Sequence, residues 1–176
     1  MRPDLAAFAE HLKAEGWATT RPLFSSDVLA KLANDLGPIS RAASSRGGAR
    51  HLLDLPAVQG LARSEPIRAC AEAALGKPCF AVRGILFDKT PDANWKVSWH
   101  QDLTIAVRTR HDVAGFGPWS VKEGVPHVQP PMEVLQKMVA IRVHLDDCGP
   151  ENGPVRVIPR SHTFGRLTSA AIDACK

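Results

Sequence analysis

Apolar residues change their spacing about halfway along the chain, from a helical repeat to short, broken runs. Over residues 3–15, Leu5, Phe8, Ala9 and Leu12 recur at helical spacing, with Pro3 near the first turn and Gly16 past the end, which predicts a helix. Trp17 to Thr20 reads as a short strand. Ser25 or Ser26, followed by Asp27, is a cap signal for a second helix running to Leu36 and closed by Gly37-Pro38. The stretch 40–48 is small, polar and glycine-rich, and is predicted as surface loop. Two shorter helices are predicted at 56–62 and 65–75, the second stopped by Gly76 and Pro78.

From Phe80 the apolar runs are short and divided by Pro, Gly, Asn and Asp, the pattern of strands. Strands are predicted at 80–87 and 97–107. Residues 111–131 form a long connection rich in Gly and Pro that carries Phe116 and Trp119; a loop of that length suits a cover over a site. A further strand is predicted at 138–145, with Ala140, Arg142 and His144 on one face. Asn152-Gly153 signals a turn, and 154–158 returns as a strand that begins, permissibly, with Pro154. Thr168 caps a last helical piece. Helices first and antiparallel-looking strands afterwards predict an α+β fold, with N-terminal helices packed on a jelly-roll core. One domain over 1–176 is expected, helical through 78 and strand-rich from 79. Four or five strands are visible where a complete jelly roll has eight, so the barrel is expected to be incomplete at the C-terminus. Its open strand edges are expected to promote self-association.

Composition narrows the function classes. A chain of 176 residues with 44% hydrophobic and 23% charged residues is ordinary for a globular protein. At this length a domain buries about 70% of its unfolded surface and needs no disulfide staple. The net charge of +4 is dispersed along the chain, which argues against a nucleic-acid face and leaves arginines available for an anionic substrate or cofactor. Cys70, Cys79, Cys148 and Cys175 show neither a CxxC nor a zinc spacing and read as reduced packing thiols. No secretory leader and no run of about 18 apolar residues is present, so the expected compartment is the cytoplasm, with no membrane partner.

The chemistry concentrates in NWKVSWHQD, residues 94–102. In an extended segment, His100 and Asp102 leave the same face and Gln101 the other. An imidazole and a carboxylate so placed are two-thirds of the facial triad that holds non-haem Fe(II) with open positions. An isolated pair of this kind can equally be a hydrogen-bonded strand pair. Trp95, Trp99 and Trp119 read as packing or lid residues, with an aromatic pocket wall as the alternative. Lys89 and Lys96 read as solvated.

With FDKTPDANWKVSWHQDL (87–103), GFGPWSVKEGVPHVQPP (115–131) and DDCGPENGPVRVIPRSH (146–162), in that order, the chain resembles the phytanoyl-CoA dioxygenase family of Fe(II)- and 2-oxoglutarate-dependent oxygenases. The passage GWATTRPLFSSDVLAKL is also similar, so the resemblance covers nearly the whole chain. It implies a double-stranded β-helix and a dioxygenase that hydroxylates a small organic substrate with O₂. His100 and Asp102 are implied as metal ligands and catalytic centre. Arg142, Ile85 and Arg50 are implied as the surroundings of 2-oxoglutarate. Arg142 offers a planar fork for a carboxylate, although an ion pair with Asp146 or Asp147 is the competing role. The family's distal histidine and carboxylate-anchoring arginine are expected beyond Lys176, and two ligands alone are expected to hold iron weakly. His144, His127 and His162 are the substitutes considered for a third ligand, His162 being read chiefly as a structural hydrogen-bonding residue; His11, His51 and His111 read as surface residues. The alternative function is a non-catalytic member or fragment serving as a binding or scaffold module. A halogenating relative is disfavoured because Asp102 occupies the position such enzymes vacate for halide.

Overall fold

The computed structural model describes residues 4–42, 48–89 and 97–175. The first helix, α1 (Leu5–Glu15), is capped by Asp4, whose Oδ1 accepts from the N–H groups of Ala6 at 3.2 Å and Ala7 at 3.1 Å. Pro3 lies outside the described residues, and the cap falls one residue after it. Gly16 ends the helix in the left-handed region at φ 81°, and a Cβ there would collide with the His162 ring. The adjoining stretch predicted as a strand, Trp17 to Thr20, pairs with nothing described. Trp17 instead sets its ring edge against His11, with centroids 5.3 Å apart.

The second helix, α2 (Ser26–Ala42), runs straight through the predicted stop and carries Pro38 inside it. Proline removes one N–H from the helical ladder but does not erase the apolar stripe. Leu29, Leu32, Leu36 and Ile39 continue at helical spacing across it, with Leu32 and Leu36 buried. Burying each leucine contributes about 1.5–3 kcal/mol. In the last turn the Ser40 hydroxyl donates to the Asp88 carboxylate, so this residue belongs to a helix and not to the predicted loop. Of that loop, 43–47 lie outside the described residues and Gly48 enters a strand.

The remaining helices follow their patterns. A 3₁₀ turn at Leu52–Asp54 precedes α3 (Pro56–Arg63), which has proline at its first position, and α4 (Glu65–Leu75), closed by Gly76 at φ 66°. The α4 helix packs on α1, and α3 packs on α4 and the 3₁₀ turn. Buried Leu52 and Cys70 mark this contact.

Strands are shorter than the patterns predict. In the first sheet β1 (Gly48–Ala49) pairs antiparallel with β2 (Leu86–Phe87), aligning Gly48 with Phe87 and Ala49 with Leu86. The second sheet has the order β3-β5-β4, built from β3 (Ile105–Ala106), β4 (Trp119–Lys122) and β5 (Val125–Val128). Its best-formed part, the β4–β5 hairpin, lies inside the stretch predicted to be a loop. Glu123 and Gly124 take φ 50° and 80°, the pair of positive angles that a two-residue hairpin turn needs. The predicted strands at 138–145 and 154–158 join no ladder among the described residues. A four-residue helix, α5 (Met132–Leu135), follows the hairpin. The Asn152-Gly153 turn is present as a 3₁₀ turn at Pro150–Asn152, and α6 (Ser169–Ala174) is capped by Thr168, whose hydroxyl accepts from Ala171 at 3.2 Å. The architecture is α+β, helices with two small antiparallel sheets. Among the described residues these ladders do not form the incomplete jelly-roll core expected.

Candidate functional site

Residues 97–104 reach the second sheet without pairing, and the ladder begins only at Ile105, opposite Val128. Within this approach His100 Nε2 stands 3.6 Å from Asp102 Oδ1. The expected convergence of the two side chains is therefore present. His100 Nδ1 lies 2.8 Å from the Ser98 carbonyl, which can only accept, so Nδ1 donates there and Nε2 is turned toward Asp102. His100 and Asp102 side chains are 55% and 90% exposed, so the pair contributes little to stability and is open to a ligand. Trp95 and Lys96 fall outside the described residues. Trp99 lies under Arg156, with Cζ 5.4 Å from the ring centre, and Arg110 covers Trp119 in the same way at 5.3 Å.

Gln101 contacts a different part of the chain from its two neighbours. Its amide nitrogen donates to the Gly165 carbonyl and its oxygen accepts from Leu167 N–H, both at 2.8 Å. Between those two backbone groups sits Arg166, whose guanidinium meets the buried Gln129 amide; with the amide oxygen turned toward it, Nη2 donates at 3.2 Å. His162 is structural: its Nε2 lies 3.0 Å from the Lys13 carbonyl at the end of α1, and Arg160 N–H donates to Glu15 at 2.8 Å.

Arg83 feels the charges of both Arg50 and Asp102. Burial lowers the pKa of the Arg83 guanidinium first, Arg50 beside it adds to that, and Asp102 acts in the opposite direction. Arg50 also pairs with Glu123 at 3.4 Å, which ties the hairpin turn to the end of β1. Arg50 follows Ala49 and Ile85 precedes Leu86, so the two candidates flank the last pair of the β1–β2 ladder. The Arg142 guanidinium lies 5.9 Å over the ring of Phe87 on β2, and the competing ion pair with Asp146 or Asp147 is not among its described contacts. Arg83 was missed in the sequence although the signal was available: in an extended segment it shares a face with Ile85.

Two further histidines lie inward. His127 on β5 is fully buried, and its Nδ1 donates to the Val125 carbonyl at 2.9 Å. Burial lowers its pKa, outweighing that bond, with Arg83, Lys122 and His51 adding to the fall. The ring of His51, expected at the surface, lies 6.4 Å from that of His127, and both Nε2 atoms are buried without a hydrogen-bond partner. A cavity of about 290 Å³ bordered by Arg63, Arg68, Cys79 and Phe80 includes none of these groups.

The donor chemistry at His100 and Asp102 suits a ferrous ion at two positions. Among the described residues, no group of three His, Cys, Asp or Glu side chains could hold a metal. No reaction step is therefore derived through iron. The model of the family Phytanoyl-CoA dioxygenase (PhyH) matches residues 12–172. No curated protein and no solved structure matches the chain.

Proposed function

Because the chain belongs to the phytanoyl-CoA dioxygenase family, whose members are in general Fe(II)- and 2-oxoglutarate-type dioxygenases, we propose that it serves the hydroxylation of a small organic substrate with O₂. The observation that carries the reading is the His100–Asp102 pair, with His100 Nδ1 held by the Ser98 carbonyl and Nε2 turned to the carboxylate at 3.6 Å. His100 and Asp102 are the residues assigned to iron. Iron and 2-oxoglutarate, when bound, supply oxygen activation coupled to decarboxylation. Arg83, which feels the charge of Asp102, and Arg50 suit the carboxylates of the co-substrate, and Ile85 is assigned as an apolar wall of the same pocket. Arg142 keeps its assignment to that pocket at the outer side of β2. A jelly-roll core is part of the same proposal. Four free thiols support a reducing, cytoplasmic setting, and no helix among the described residues is long and apolar enough to cross a membrane.

Anaerobic Fe(II) titration tests the pair. His100→Ala and Asp102→Ala are each expected to weaken binding at least tenfold, and unchanged affinity in either removes that residue from the site. A second reading, a binding module without turnover, is favoured by the two-donor metal set. Succinate formed from 2-oxoglutarate, and lost in His100→Ala, establishes the oxygenase; iron binding without succinate establishes the module.

A further inference from the structure

We infer that Gln101 is the positioning residue of the His100–Asp102 pair, acting through the turn at Gly165–Leu167. The problem it answers is local. Among the described residues, 97–104 have no strand partner to fix which way successive side chains point. In extended backbone, anchoring one side chain dictates the direction of the residues on either side of it. Gln101 is anchored at both ends of its amide, to Gly165 O and Leu167 N, across 64 and 66 residues of sequence. His100 and Asp102 are thereby turned to the opposite side together.

The side chain is specified by its chemistry. One terminus must donate and the other accept, and a primary amide supplies both. A glutamate would keep the acceptor for Leu167 N–H but would set a second oxygen against the Gly165 carbonyl. Asparagine has the same groups on a shorter arm. The turn that Gln101 holds is itself braced, because Arg166 meets the buried Gln129 amide, and Gln129 is bonded through its backbone to Gly117 and Pro118 at 2.8 and 3.2 Å. The same C-terminal segment is fastened to α1 through Arg160 and His162. The His–x–Asp segment thus takes its orientation from two distant parts of the chain. The position between the two candidate ligands, silent in a motif written with an x, is the one that sets their aim.

The inference takes its metal from the iron reading above, but its geometry stands without it, and the experiment separates the two. In the metal-free 176-residue protein, ¹⁵N relaxation of Gln101→Leu should lower the order parameter of the Asp102 amide from about 0.85 to below about 0.6, while β4–β5 resonances stay in place and report an intact fold. Anaerobic Fe(II) titration of the same variant should show affinity reduced about 10–100-fold, the effect of losing a group that orients a ligand. Gln101→Glu should lie between native and Gln101→Leu in both measurements. An unchanged Asp102 order parameter overturns the inference. So does a raised mobility with native iron affinity, which reduces the clasp to a structural contact. If His100→Ala leaves iron binding untouched, the iron reading falls, and the order parameter alone decides whether Gln101 sets the pair.

Discussion

The β4–β5 hairpin and the run 138–158 both offer alternating apolar residues, yet only the hairpin is held in a ladder among the described residues. Val128 is 1% exposed and His127 beside it is fully buried, whereas Val155 and Val157 are 57% and 46% exposed. Hydrophobic alternation is therefore not what separates them. The hairpin's strands lie two residues apart, so closing the loop costs little. Its turn residues also accept the positive φ angles the connection requires. The 138–145 run needs a partner brought from farther away, and the described residues provide none. Alternation makes a segment able to pair; a partner within reach makes it a strand.

The largest effect expected from this contrast is in stability. Val128→Asp places an unpaired carboxylate in a closed position and should cost more than about 3 kcal/mol, read from urea unfolding. Val157→Asp, on the open run, should stay within about 0.5 kcal/mol. A large loss at Val157 would mean that 154–158 is packed in solution and would break the comparison.

A smaller effect comes from the buried histidine of the hairpin. With its folded pKa lowered below the ordinary value of about 6.5, His127 binds its proton less readily folded than unfolded. Its contribution is complete above about pH 6.5 and declines as pH falls through the folded pKa. The urea midpoint should drop between pH 7.5 and pH 5, and His127→Phe should flatten that part of the profile. An equal slope in the variant would assign the titration elsewhere.

The smallest expected effect is association. Self-association through open strand edges now falls on β4, an outer strand of its sheet, where Val121 is 71% exposed. Sedimentation should find a weak, concentration-dependent dimer that Val121→Lys reduces. A monomer at every concentration removes edge pairing.

Much of the helical half was legible because its signals are local. Gly16 and Gly76 end helices where a left-handed residue is needed, and Thr168 caps the last one with its own hydroxyl. Pro38 misled because a local stop signal competed with an apolar stripe whose value lies in burial against the rest of the chain. Of the candidate site, the spacing of His100 and Asp102 was legible from period-two geometry, and Ile85 with Arg50 from family resemblance. Arg83 was not singled out, His51 was read as a surface residue, and His127 was considered only as a third metal ligand, because the surroundings of all three are set by residues distant in sequence. Arg142 was assigned from the resemblance alone, and the fold sets it against Phe87.

The sequence by itself determined the helices, the family and the residue types that suit iron and a carboxylate, because capping, periodicity and donor chemistry need only neighbouring residues. Tertiary structure decided which apolar runs became strands, which arginine feels the charge of Asp102, and what holds the Gln101 side chain between His100 and Asp102. Those outcomes depend on partners separated by tens of residues. The Gln101 amide, reaching Gly165 and Leu167, shows the reason most directly: a single side chain's direction is set by backbone groups more than sixty positions away.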